Sequence, residues 1–125
     1  MKWTVQKTAE QPFVKVVIEG DFNLTDHWKM IEDIVSRDFW KPGMYAFFDD
    51  RNLTLNSAGF ATIQAAARNH EENDKRIGEG KSAILMGTMA DFVKARQFEL
   101  LLEEKANARI RIFLKEEEAI KWLVS

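Results

Sequence analysis

The chain has 125 residues and a mass of 14.5 kDa, a length that favours one domain because two independent hydrophobic cores would be marginal. We therefore predict a single domain over residues 1–125. Hydrophobic residues make up 46% of the chain, which argues against disorder. Eighteen Lys and Arg residues oppose 20 Asp and Glu residues, so there is no excess positive charge to hold nucleic acid or an anionic membrane. The absence of cysteine excludes disulfides and thiol chemistry, and it fits a reducing cytoplasm.

The first third of the chain predicts two strands and a helix. Residues 1–7 alternate polar and apolar side chains, which predicts a strand rather than a leader peptide. The β-branched residues from Phe13 to Glu19 predict a second strand that pairs back on the first. Thr25 is the predicted N-cap of a helix that ends near Pro42, because proline disfavours helical geometry in the residue before it. No apolar run approaches the length of a membrane span.

The remainder of the chain alternates predicted strands and helices. Strands are predicted over residues 44–48, 81–87 and 109–114, and helices from Ser57, over residues 90–106 and from Glu116. The alternating polar side chains of residues 109–114 predict an edge strand. The order is ββαβαβαβα, and strands separated by helices pair in parallel. We predict an α/β fold with a five-stranded mixed sheet, an antiparallel hairpin at its start and helices around it.

The two histidines predict neither a metal site nor a catalytic group. His27 and His70 lie on different predicted helices, and neither has a second ligand at helical or hairpin spacing. We expect His27 to be exposed in a first helical turn and His70 to lie in a solvated polar run. The sequence therefore predicts no catalytic residue, no metal and no cofactor.

Polar residues follow the two central predicted strands. Asp49, Asp50 and Arg51 end the first strand, and Thr88 and Met89 follow the next. Parallel α/β sheets bind ligands at the carboxyl ends of their strands, so this loop region is the predicted partner-facing surface.

Ser57 begins the helix that this loop reaches. Its residue type favours a plain N-cap hydroxyl, and a phosphate on it would meet the free N–H groups of a helix start.

The chain has many large apolar side chains for its length, with four Trp, nine Phe and five Met. Most of these side chains must form the core, and a minority could line a pocket for an apolar ligand. Such a pocket predicts a cavity of roughly 300 Å³ or more, whereas a module without one predicts a packed core. The candidate pocket residues are Trp28, Trp40, Phe60, Met86, Met89 and Phe92.

Several segments, in order and spacing, resemble the SpoIIAA-like proteins, relatives of the STAS domains that include bacterial anti-sigma-factor antagonists. The resemblance covers nearly the whole chain and is most specific at its carboxyl end. It implies a mixed sheet flanked by helices and no catalytic residues. The segments that carry it are Val16-Val17-Ile18-Glu19-Gly20 before a Thr-Asp helix start, Ala46-Phe47-Phe48-Asp49-Asp50, Lys81-Ser82-Ala83-Ile84-Leu85, Ala95-Arg96-Gln97-Phe98-Glu99, Ile110-Arg111-Ile112-Phe113 and Glu117-Glu118-Ala119-Ile120-Lys121-Trp122-Leu123.

In the antagonists, a partner kinase phosphorylates a serine at the helix start after the third strand. The resemblance makes Ser57 the closest positional match for this phosphoacceptor and Thr54 the second candidate. The segment 49–59 is longer here than the tight Asp-Ser-Ser-Gly type of turn in the antagonists, which puts the switch in question.

These observations predict two functions of different classes. The first is a non-enzymatic STAS-like module, expected as a homodimer in a bacterial cytoplasm, that recognises a protein partner through residues 50–57. The second is a small apolar-ligand or lipid-binding protein, because the fold also resembles that of the lipid-carrying CRAL-TRIO domains. An enzyme ranks third, since its only support is the carboxylate pair of Asp49 and Asp50 beside Arg51, which would equally serve as a loop anchor.

Overall fold

The computed structural model describes residues 1–103, 105–106 and 109–125. Within these ranges, strands and helices alternate after an initial hairpin, as the sequence predicts. The elements are β1 (Lys2–Gln6), β2 (Val14–Asp21), α1 (Leu24–Val35), β3 (Ala46–Thr54), α2 (Phe60–Glu72), the single turn α3 (Asp74–Ile77), β4 (Lys81–Met86), α4 (Met89–Leu102), β5 (Arg109–Phe113) and α5 (Glu116–Leu123). None of the described helices is both long and apolar enough to cross a membrane.

The five strands form one mixed sheet in the order β1-β2-β3-β4-β5. β1 pairs antiparallel with β2, with Trp3 opposite Ile18, and the remaining neighbours pair in parallel. This confirms the predicted sheet, its opening hairpin and the edge position of the last strand. Successive crossovers step in one direction across the sheet, so their usual right-handedness places α1, α2 and α4 on the same face.

The sheet has an apolar core on each face. On one face, apolar residues of the strands pack with buried side chains of α1, α2 and α4. On the other face, α5 buries Ala119 and Leu123 against Phe47, Leu85 and Phe113. α2 packs chiefly against α1 and α4 rather than on the strands, which leaves space beneath it over the centre of the sheet.

β3 is longer than predicted, because it continues through the polar residues that were expected to end it. Its pairing with β2 passes a β-bulge, where Val17 opposite Asp49 is followed by Glu19 opposite Asn52. Between these two pairs β2 advances by two residues and β3 by three, so the extra residue of the bulge lies in β3. Asp49, Asp50 and Arg51 are consequently strand residues and not a loop. Backbone pairing with a distant strand outweighs their low strand propensity.

Two predicted helix starts are wrong. α1 is capped by Asn23, whose side-chain Oδ1 accepts from the Asp26 backbone N–H at 2.9 Å, and not by Thr25. α2 begins after Gly59, and Ser57 lies before it in a turn, because β3 extends to residue 54 and moves the helix start along the chain. Helix ends also fall early, since α1 stops at Val35 and α4 at Leu102.

Candidate ligand cavity

A cavity of about 110 Å³ lies between the central strands and the three helices on that face. Strand side chains form its floor, α1, α2 and α4 form its walls, and nearly all lining residues are apolar. The lining residues are Met1, Ile18, Phe22, His27, Met30, Ile31, Ile34, Val35, Trp40, Ala46, Phe48, Asp50, Leu53, Leu55, Ala58, Ile63, Ala66, His70, Ile77, Ser82, Ile84, Met86, Lys94, Ala95, Phe98 and Ile110.

Small side chains explain why the space beneath α2 is not filled. Ala66 on α2 and Ala95 on α4 point into it, and Ala46 forms part of its floor. An apolar cavity of about 150 Å³ holds a benzene molecule, so about 110 Å³ accommodates roughly four to five heavy atoms. The volume is smaller than the roughly 300 Å³ predicted for a ligand pocket, yet the interior is not packed throughout.

Side-chain alternation along β3 places Asp50 in the cavity. Ala46, Phe48 and Asp50 line it, whereas Phe47 packs in the core on the opposite face. The extra residue at the bulge shifts the side-chain alternation by one position. After it, the odd-numbered Leu53 lines the cavity.

The carboxyl group of Asp50 is the most unusual polar group of this interior. Asp50 is 8% exposed, and its buried Oδ1 atom has no hydrogen-bond partner in the part of the chain that the structure describes. Burial, assisted by the charge of Asp49, raises the pKa of Asp50 from 3.8 to about 8. The group is therefore mainly protonated at pH 7, when it can donate a hydrogen bond as well as accept one.

His27 and His70 enter the cavity from the helix side. Their Nε2 atoms are buried without partners, and their rings meet Phe98 edge-on at centroid distances of 6.3 and 6.0 Å. Burial lowers the pKa of both histidines from 6.5 to about 4, so both are neutral at pH 7.

The prediction that His70 lies in a solvated run is wrong, because the residue is 6% exposed, and His27 is only partly exposed, with its Nε2 atom buried. His70 lies seven residues after Ile63 and three after Ala67, on the buried face of α2, and this spacing is the sequence signal that could have revealed it.

Lys94 joins the cavity wall to the segment between β3 and α2, a role not predicted from the sequence. Its Nζ donates to the backbone carbonyls of Leu55 at 2.8 Å, Asn56 at 3.3 Å and Ala58 at 3.2 Å. An ammonium group has three hydrogens, so these carbonyls engage all of them. Asp91 on the same helix accepts from the Leu55 backbone N–H at 3.0 Å. Together the two charged side chains fix this segment against α4.

The structure places two of the candidate pocket residues, Trp40 and Met86, in the cavity lining. Trp40 also donates its indole N–H to the Arg76 carbonyl at 2.8 Å. The other four are absent from the cavity lining. Phe92 is partly buried and packs against the core on this face of the sheet without lining the cavity.

Three of the candidate pocket residues lie at the surface. Trp28 is 45% exposed beside the inward face of α1 and does not line the cavity. Phe60 and Met89, the first residues of α2 and α4, are 54% and 62% exposed. Both side chains are exposed because the first residues of α2 and α4 are not covered by other elements.

The predicted partner-facing residues do not form one surface. Asp49 lies on the opposite face from Asp50 and forms a two-bond ion pair with Arg51, at 2.8 and 2.9 Å, which lowers the pKa of Asp49. Arg51 also approaches Glu116 of α5 at 3.8 Å. Thr88 is the N-cap of α4, where its hydroxyl oxygen accepts from the Asp91 N–H at 3.2 Å.

The candidate phosphoacceptors lie near the carboxyl end of β3. Ser57 is exposed, and its hydroxyl donates to the Phe22 carbonyl at 3.4 Å. The Oγ1 atom of Thr54 accepts from the Asn56 backbone N–H at 3.2 Å. Neither hydroxyl lies at a helix N-terminus, so a phosphate on Ser57 would not occupy the first-turn position that was predicted for it. In the described ranges, no three His, Asp or Glu side chains gather into a possible metal site.

The geometry above is that of an α/β module with an interior cavity, and its fold has a known counterpart. Neither the protein-family models nor the curated proteins contain a match to this sequence. The structure is similar to that of an uncharacterized protein of the DUF3478 family, with a SpoIIAA-like fold, from Shewanella loihica PV-4. The TM-score is 0.59 at 11% sequence identity, over 98% of this chain and 92% of that chain. The predicted SpoIIAA-like fold is thereby confirmed, and at this identity the similarity concerns the fold alone.

Proposed function

We propose that this chain is a SpoIIAA-like binding module whose interior cavity takes a small, mainly apolar molecule. The observation that carries the proposal is an apolar cavity lined by Asp50, His27 and His70, each with a buried polar atom that has no hydrogen-bond partner among the described residues. Buried polar atoms are nearly always hydrogen-bonded in folded proteins, so a group of unpartnered ones calls for an explanation. A ligand that fills the space and bonds these atoms is the explanation that we favour.

The energetic cost of these features supports the proposal. At about 24 cal/mol per Å³, a fully enclosed cavity of about 110 Å³ would cost at most roughly 3 kcal/mol of stability. Each buried polar atom without a partner costs about 1–3 kcal/mol more. Natural domains are stable by only about 5–15 kcal/mol, so these features consume a large share of the total. Sites that depart from good packing in this way are commonly functional.

Native mass spectrometry of protein purified without denaturation tests the proposal. We expect a bound mass that is lost when the protein is denatured and is absent from variants whose cavity is filled. Ala66→Leu places a larger side chain into the cavity from α2, and we expect it to remove the bound mass. Ala61→Leu, on the exposed side of the same helix, is the matched control and should retain it. A bound mass that survives in Ala66→Leu would place the ligand elsewhere.

A second candidate function is assembly with a second copy of the chain, and one feature of α4 favours it. Met89, Val93 and Leu100 lie within about 40° of one another around the helix, at spacings of four and seven residues. They are 62%, 56% and 55% exposed. α4 is thus apolar both toward the sheet and toward solvent, and a second α4 would cover the outer stripe. This supports the homodimer expected from the sequence.

Light scattering coupled to size-exclusion chromatography tests the dimer. We expect the wild-type chain to elute at twice 14.5 kDa and Val93→Glu at the monomer mass. Val124→Glu introduces the same change at a residue that is also 56% exposed but lies after α5, and it should remain dimeric. A monomeric wild-type chain would rule the dimer out.

A further inference from the structure

We infer that the occupant of the cavity is an uncharged molecule that carries a hydrogen-bonding group, such as a short alcohol, aldehyde or ketone, rather than a hydrocarbon or a carboxylate. The inference rests on the proposed function and specifies its ligand class. It is carried by the positions of the polar atoms that line the cavity and by the bonds that the charged groups there already make.

The cavity offers hydrogen bonds from two sides. Asp50 lies in the strand floor and His27 and His70 lie in the helix walls, and each of these side chains has a buried polar atom without a hydrogen-bond partner among the described residues. A hydroxyl can donate and accept at once, and a carbonyl can accept from a protonated carboxyl group. One such group on a molecule of four or five heavy atoms would satisfy at least one buried atom and still fill the apolar space.

A hydrocarbon fits the shape of the cavity but not its chemistry. It would fill the apolar volume and leave the unpartnered atom of Asp50 away from water, without any hydrogen bond. Leaving a buried polar group unsatisfied is more costly than a neutral hydrogen bond is favourable. An alcohol of equal size should therefore bind more tightly than the alkane.

Within residues 1–103, 105–106 and 109–125, no lining group offers a free positive charge to an anion. The ammonium of Lys94 already donates to three backbone carbonyls. The amino group of Met1 pairs with Asp26 at 3.4 Å, and both lining histidines are neutral at pH 7. A carboxylate would also meet the carboxyl group of Asp50 in an apolar environment, where unpaired charge is strongly disfavoured.

Three probes with five heavy atoms each separate these possibilities: 1-butanol, n-pentane and propionate. Binding is followed at pH 7 by NMR of methionine methyl groups, because Met30 and Met86 line the cavity. We expect 1-butanol to bind roughly tenfold more tightly than n-pentane, the factor that one net hydrogen bond supplies. We expect propionate to produce no saturable shift.

Substitution of Asp50 tests whether its carboxyl group causes the preference for 1-butanol over n-pentane. Asp50→Leu removes the hydrogen bond, so 1-butanol should lose its preference over n-pentane. Asp38→Leu makes the same change at an exposed residue and should keep the tenfold preference. Should Asp50→Leu fail to fold, Asp50→Asn, which retains both a donor and an acceptor, should preserve the preference at pH 7.

A pH series distinguishes a hydrogen bond between Asp50 and the ligand from a purely structural role of Asp50, because only the hydrogen bond makes the preference between the two probes depend on pH. In the wild type, the preference for 1-butanol should rise between pH 7 and pH 9.5 as Asp50 ionises, because a carboxylate accepts a hydrogen bond from a hydroxyl more strongly than a neutral carboxyl group does. In Asp50→Asn the preference should not change with pH. The charged or titratable groups that face this interior are Asp50 on β3, His27 on α1, His70 on α2, Lys94 on α4 and the amino group of Met1.

The possible outcomes separate the two proposals. If n-pentane or propionate binds as tightly as 1-butanol, the inferred ligand class is wrong and the cavity remains a binding site. If none of the three probes produces a saturable shift and the purified protein carries no bound mass, the proposed function fails, and this inference fails with it.

Discussion

The ionisation of Asp50 makes a quantitative prediction about stability. Asp50→Asn keeps the shape of the side chain and its polarity but cannot ionise. In the folded protein the pKa of Asp50 is raised from 3.8 to about 8 by burial, assisted by Asp49, while in the unfolded chain the carboxyl group titrates near its ordinary value. Between these two values only the unfolded state releases the proton, so folding grows less favourable as the pH rises.

The magnitude follows from the size of the shift. A group whose folded-state pKa is raised contributes stability that is complete below the unfolded value of 3.8 and is lost as the pH rises through about 8. Each pH unit in this window corresponds to about 1.4 kcal/mol. Across the window of about four units, the wild type loses roughly 6 kcal/mol through this one group, and between pH 5 and pH 8 it loses about 4 kcal/mol.

Urea unfolding followed by tryptophan fluorescence at pH 5, 6, 7 and 8 measures this loss. The free energy of unfolding of Asp50→Asn, minus that of the wild type, should increase by about 4 kcal/mol from pH 5 to pH 8. Both proteins retain the histidines and the other carboxylates, so the contributions of those groups cancel in the difference. The same substitution at the exposed residue Asp38 is the control. A difference for Asp50→Asn that is constant across this range would refute the assignment of Asp50 as a buried, protonated acid.

The remaining predictions concern three other side chains. The pKa of His70 is lowered from 6.5 to about 4 in the folded state, so the wild type should lose about 3 kcal/mol between pH 6.5 and pH 4 through this group, and urea unfolding of His70→Leu at pH 5 and pH 7 should show a shallower loss. Lys94→Met leaves three loop carbonyls without their donor and should lower stability by about 2 kcal/mol and speed hydrogen exchange at the Leu55 amide; unchanged exchange would contradict the anchoring role. If Ser57 is a regulated phosphoacceptor, incubation with lysate and ATP should add a phosphate that Ser57→Ala abolishes, and equal labelling of both proteins would remove that assignment.

The order of the elements could be predicted from the sequence because it depends on local patterns. The apolar strand at residues 81–86, the alternation of β5 and the helix spacing of α1 are each visible within a short window. Helices between successive strands then require parallel pairing, and this led to the correct mixed sheet.

The candidate site could not be predicted in the same way. Asp49 and Asp50 look alike in the sequence, but only the extension of β3 along β2 makes them strand neighbours that face opposite sides of the sheet. One carboxylate consequently pairs with Arg51, while the other is buried and protonated. The exposure of Trp28 and Phe60 depends likewise on where each helix meets the sheet.

The sequence by itself determined the fold class, the order of strands and helices along the chain and the number of large apolar side chains, since propensity and periodicity act over a few residues. Tertiary structure alone decided that α2 packs on α1 and α4, that a cavity lies beneath it, and that Asp50, His27 and His70 share this interior. These features arise from contacts between residues far apart in the chain. Burial and pKa depend on what surrounds a group in space, and a local sequence pattern does not contain that information.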